Sequence, residues 1–173
     1  MKKIVILLVL LSGLYGFSQQ NSFEKLQFLI GEWQGKGTGF GNENSTITAS
    51  YQFIMDKKYI EVKHESHFKP TPNKPKGEHH IDKGFISFDT HRKQVIYRQF
   101  NIEGYVNQYI LNKEKSTNNT LVFETETIEN FVSGGKARFT IKKISDTEIE
   151  TIFDVSFPNK NYSCFGTNTL VKK

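Results

Sequence analysis

Cysteine is nearly absent: Cys164 stands alone in 173 residues. An internal disulfide is therefore excluded, and the domain must hold together by packing. Proline is scarce too, and Pro70, Pro72 and Pro75 fall in one stretch, KPTPNKPKG at residues 69–77. That stretch predicts an exposed loop and leaves Pro158, in the turn signal Pro158-Asn159, as the one proline elsewhere. Beyond the first apolar run, none approaches the ~20 residues that a membrane-spanning helix needs. Charges of one sign form no block, so no nucleic-acid footprint is present and no nucleic-acid partner is expected. A P-loop, a nucleophile elbow, a zincin helix and paired cysteines are all missing, so no catalytic residue or metal-ligand set is expected from motifs.

What is present begins with a leader-like segment. MKK supplies positive charge, IVILLVLL an apolar core and GLYGFS a small-residue finish. That is the layout of a secretory signal peptide over residues 1–18, with Gly16 and Ser18 suiting signal peptidase. A retained anchor is the alternative. Cleavage there removes Lys2 and Lys3 and lowers the net charge from +5 to +3. The expected product is an exported protein, periplasmic or secreted, with one domain over 19–173 and no membrane span.

Ser22 is placed to cap a short helix, with Phe23, Leu26 and Ile30 at helical spacing and Gly31 ending it. After that, apolar residues recur at every second position, as in Ile47, Ala49, Tyr51, Phe53 and Met55, with polar residues between them. Turn signals such as Asp56-Lys57, Glu103-Gly104 and Gly134-Gly135 separate about ten such runs. Short links make sequential strands antiparallel neighbours. The predicted fold is all-β, an up-and-down antiparallel β-barrel of about ten strands with a short N-terminal helix. Closure removes the exposed edges of a flat meander; a sandwich is the alternative.

A barrel of this size encloses room for one small ligand. The ring-rich inner faces supply the candidate ligand-binding residues Tyr51, Phe53, Tyr97, Tyr109, Phe123 and Phe153. His64 shares parity with Ile60, Val62 and Phe68, so it points inward as a ligand, a proton donor to a bound polar group, or a satisfied core residue. Gln99, Asn107, Thr125 and, with inward parity, Arg138 add polar members. His79 and His80 point to opposite faces. If the strands flanking the proline loop form a hairpin, His67 comes near one of them, and a surface zinc site is open there, although no H-x-H spacing supports it. His91 is expected to be exposed, and Cys164, between Tyr162 and Phe165, to be a buried inert thiol.

GEWQGKG, Gly31 to Gly37, is no phosphate loop, because a helix precedes it and a strand follows. Alternating glycines suit a strand that bends where backbone or a ring comes close. Trp33 is thereby placed inward, closing one end of the barrel and counted among the ligand-binding candidates. A short helix followed by G-x-W-x-G-x-G resembles the nitrobindin-like (haem-binding β-barrel) proteins and related lipocalin-like secreted bacterial barrels. The proline- and lysine-containing loop leading into His80, Asp82, Gly84 and Phe85 is similar, as is the short basic finish TNTLVKK. The resemblance covers the layout of residues 23–173 and implies a barrel with a cavity. Its haem-binding members hold iron through a histidine on the last strand. The matching region here has none, and Asn168 stands near that position, as a poor iron ligand.

The expected function is interior binding of a small, largely apolar molecule, without catalysis and with no cofactor. One alternative is a haem-binding nitrobindin-type enzyme acting on reactive nitrogen species through a displaced histidine such as His64 or His80. Another is a non-catalytic envelope scaffold. The leader reading predicts that intact-mass measurement of the protein recovered from its host finds a chain beginning at Gln19; a chain retaining Met1 would exclude cleavage.

Overall fold

In the computed structural model, residues 22–39 and 44–173 are described. The leader segment and its cleavage site lie outside them. A 3-10 helix, Glu24–Leu29, precedes ten strands. These are β1 (Gly31–Thr38), β2 (Asn44–Ile54), β3 (Tyr59–Phe68), β4 (Glu78–Asp89), β5 (Gln94–Asn101), β6 (Val106–Leu111), β7 (Thr120–Glu129), β8 (Lys136–Lys143), β9 (Glu148–Ser156) and β10 (Ser163–Lys172). Each strand pairs antiparallel with the next, and β1 pairs with β10 to close the barrel. The sandwich alternative is thereby excluded.

The short helix differs in kind from the expected one. Its buried residues Phe23, Leu26 and Leu29 recur every three positions, the period of a 3-10 turn. Leu29 rather than Ile30 is thus the last inward residue. Ile30 is already extended, and the chain turns directly into β1. The helix seals one end of the barrel. Trp33, fully buried, donates from Nε1 to the Leu29 carbonyl at 2.7 Å, tying strand to helix. The Lys172 ammonium lies 5.2 Å from the centre of the indole ring, within cation–π reach.

The glycines of β1 explain how the barrel closes. A Cβ on Gly35 would collide with the Thr169 carbonyl of β10, and one on Gly37 with the Asn168 carboxamide. The absent side chains let the first and last strands approach closely in register, Gly35 opposite Leu170 and Gly37 opposite Asn168.

Alternation holds through most of the inner face; a register shift between Gln108 and Tyr109 interrupts it where β6 pairs with β7. Met55 leaves the inward set and is 70% exposed, because it begins the tight β2–β3 turn with a positive φ, as do Asp56 and Lys57. Arg138 faces outward, where its guanidinium pairs with Asp154 at 3.0 Å and covers the Tyr162 ring at 4.5 Å. Cys164 is exposed rather than buried: it lies at the start of β10, where a register shift between Cys164 and Gly166 breaks the alternation that suggested an inward thiol. Among the described residues no helix is long and apolar enough to cross a membrane.

Trp33→Phe preserves most of the apolar volume but strands the Leu29 carbonyl. It is expected to lower unfolding free energy by about 1–3 kcal/mol, the cost of an unpaired buried polar group, as measured by chemical denaturation. An unchanged midpoint would show that the indole N–H carries no stability.

Candidate functional site

The end opposite the helix is open. Descending β3 from the rim, Phe68, Ser66 and His64 face a cavity of about 310 Å³. Below them Val62 and Ile60 belong to the packed core. The same order runs down β4, where Glu78, His80 and Asp82 line the cavity and Ile86 is core. Register places His64 directly across from Asp82. Phe139 of β8, Phe153 of β9 and Phe165 of β10 supply the apolar wall, and Gln99 and Asn168 add polar groups. The size is at the lower end of cavities that hold small organic molecules.

His64 and Tyr51 anchor the cavity floor. Tyr51 Oη and His64 Nε2 share a 2.8 Å hydrogen bond. The phenol has no other acceptor among the described residues, so it donates and Nε2 accepts. The ring proton then sits on Nδ1. Burial pushes the imidazole pKa down to about 4, keeping the ring neutral near pH 7, and raises the phenol's pKa. Phe139 meets the imidazole edge-on, with centroids 5.7 Å apart. His64 is thus a core-satisfied residue on one nitrogen and a wall residue as well.

Asp82 is the carboxyl in the cavity lining that no other side chain pairs. Among the described residues it makes no hydrogen bond or ion pair. Burial, then the nearby Glu103 charge, raises its pKa to about 7, against a smaller opposing effect of His80. His80 itself is engaged at the rim, with Nδ1 2.6 Å from Glu103 Oε1. Gln99 is held from below: its Oε1 accepts from Tyr109 Oη at 3.1 Å and, weakly, from Asn107 Nδ2 at 3.4 Å. Its amide nitrogen has no partner among the described residues and is left to the cavity side. A floor of neutral hydrogen-bonding groups, one carboxyl not paired with another side chain and a wall of phenylalanines can orient a mostly apolar molecule that carries one or two polar atoms.

Of the residues singled out from the sequence, His64, His80, Gln99, Phe153 and Asn168 line this cavity. Tyr51, Tyr97, Tyr109 and Phe123 are fully buried in the layer beneath it. Tyr97 stacks on Tyr109 at 5.5 Å and meets Phe123 edge-on at 5.8 Å. Phe53 packs on Phe23 at the helix end, and Trp33 seals that end. Rings at inward positions look alike in sequence whether they line a cavity or fill it. Sequence reading did not single out Phe68 and Phe165 as wall residues, and it counted Phe139 only among the rings that line or fill the interior. It noted Asp82 only through the family resemblance, although its parity with Gly84 and Ile86 already marked it as inward.

The groups present do not suit a haem iron. Asn168 donates from Nδ2 to Thr151 Oγ1 at 3.0 Å and is a poor ligand in any case. Tyr51 occupies His64 Nε2, and Glu103 occupies His80 Nδ1.

No family model matches the chain, and no curated protein matches it in sequence. Among solved structures it is similar to Rv2717c from M. tuberculosis, with a TM-score of 0.62 and 12% identity over 88% of this chain and 97% of that one. EF1p2_mFAP2b bound to DFHBI superposes with a TM-score of 0.47 and 15% identity over 86% of this chain and 97% of that one. At these identities the likeness to Rv2717c shows the fold alone: an antiparallel ten-stranded barrel.

His64 and Asp82 pull stability in opposite directions with pH. His64, with its folded pKa depressed, loses stability as pH falls from about 6.5 towards 4, because the unfolded chain takes up the proton first. Asp82, with its folded pKa raised, loses stability as pH rises from about 4 towards 7. Their contributions oppose each other across that window. Asp82→Asn removes the second, so the variant should gain up to about 3 kcal/mol of stability between pH 4 and 6.5 relative to the parent's profile, read from denaturant unfolding at each pH. Parallel profiles for parent and variant would count against a neutral, buried Asp82.

Proposed function

We propose that the barrel binds a small, largely apolar molecule in the cavity at its open end and that it does so without catalysis. The observation that carries this reading is the cavity of about 310 Å³ walled by Phe68, Phe139, Phe153 and Phe165, with Asp82 unpartnered on its side. A barrel serving only as a scaffold has no need to leave an inward carboxyl without a partner in a half-dry space. Asp82 supplies the polar contact: a hydrogen-bond donor below its pKa and an anion above it, suited to a ligand hydroxyl or amine. The Gln99 amide nitrogen is the second. The neutral imidazole of His64, held by Tyr51, contributes a fixed polar surface rather than a mobile acid or base.

The leader-like segment supports export, and binding outside the cytoplasm is part of this proposal. The layout shared with nitrobindin-like and lipocalin-like barrels supports a common architecture. The haem enzyme reading gains nothing from the donor set described above, and the scaffold reading gains nothing from a walled cavity.

Native mass spectrometry of the protein purified from its own host should show a small-molecule adduct. Ser66→Phe, which fills the cavity from β3 while leaving the packed core below untouched, should lose it. An adduct retained in the Ser66→Phe protein would place the ligand elsewhere, and no adduct from host material or from a challenge with a small-molecule extract would remove the proposal.

A further inference from the structure

The outer wall of the barrel carries a second constellation, unrelated to the cavity. His67 on β3 and His79 on β4 are direct register partners with outward parity. Their rings stack with centroids 4.0 Å apart and planes 14° from parallel. Glu65 lies two residues from His67 on the same face of β3. Its Oε2 is 3.2 Å from His79 Nε2 and 3.6 Å from His67 Nε2. One ligand atom from each of the three residues falls within 4.8 Å of the others. The second carboxylate oxygen, Oε1, pairs with Lys63, which fixes the direction of the carboxylate and leaves Oε2 for the histidines.

We propose that Glu65, His67 and His79 form a site for a divalent first-row transition metal, with zinc the best fit. Two imidazole nitrogens and one carboxylate oxygen are the donor types that zinc takes. Bonds of ~2.0–2.1 Å to a tetrahedral ion set its ligand atoms about 3.3 Å apart, and the two carboxylate–imidazole distances bracket that value. Three protein ligands leave the fourth corner to water. Binding asks the two exposed rings to splay from their stack by side-chain rotation, with no change in the strand backbone. The metal displaces the Nε2 protons that otherwise face the carboxylate.

A strand pair makes the site rigid where it matters. Ladder hydrogen bonds fix both histidine Cα positions, and register, not loop geometry, brings His67 opposite His79. The histidines are twelve residues apart along the chain, across the proline-rich loop, so no short spacing motif marks them. An ion there would staple the two strands at the base of that loop, beside the cavity rim where Lys74, Glu78 and His80 lie. His80, next in sequence to His79, faces inward and is paired with Glu103, so it belongs to the cavity and not to this site.

The test is a titration of untagged, chelator-stripped protein with Zn2+ by calorimetry and with Co2+ by visible absorbance. One site per chain is expected, with the intense visible bands of a four-coordinate Co2+ ion. His67→Ala and His79→Ala should each weaken binding by about tenfold or more, while His91→Ala, in the exposed turn after β4, should leave it unchanged. All three side chains are on the solvent face, so circular dichroism should show the barrel intact in every variant. Absence of binding in the parent, affinity unaltered in both the His67 and His79 variants, or an equal loss in the His91 variant would each overturn the assignment.

Discussion

Pairing of the first strand with the last holds this molecule in shape. Without β1 against β10, the meander is an open, strongly curved sheet with two bare edges and no enclosed interior. The pairing depends on Gly35 and Gly37, which give up side chains so that the β10 backbone and the Asn168 carboxamide fit against β1. It also spans nearly the whole chain, so its loop-closure entropy is recovered only when the last residues are in place. The helix seal, the packed layers of tyrosine and phenylalanine, and the cavity above them all presuppose that closed ring.

The interior is graded along the barrel axis. At the helix end Phe23, Leu26, Leu29 and Trp33 are sealed from water. A middle layer joins aromatic rings to two small hydrogen-bonded groups, Tyr51 with His64 and Tyr109 with Gln99 and Asn107. At the open end carboxylates, histidine and lysine surround the cavity mouth. Burial in the middle layer holds His64 neutral, while at the rim the hydrogen bond from Lys74 lowers the Glu78 carboxyl pKa.

The fold was legible in the sequence because most inward strand faces obey a period of two and most links are short. The departures have local causes that periodicity does not encode: a left-handed turn beginning at Met55, a register shift beside Cys164, and a 3-10 rather than α period for Phe23, Leu26 and Leu29. The candidate site was far less legible. Tyr97, Phe123 and Phe153 have the same parity and chemistry, yet only Phe153 reaches the cavity, because height along the axis depends on strand stagger. His67 and His79 are distant in sequence and meet only through the β3–β4 register, which a hairpin across the proline loop supplies.

The sealed position of Trp33 has an optical consequence. It is the sole tryptophan in the chain, it lies in the fully buried end layer, and it does not touch the cavity. Its emission therefore reports on the closure of the ring and the seating of the short helix. Filling of the binding space at the far end passes unseen by it. The protein carries its own probe of folding, spatially separated from the place where it would meet a ligand.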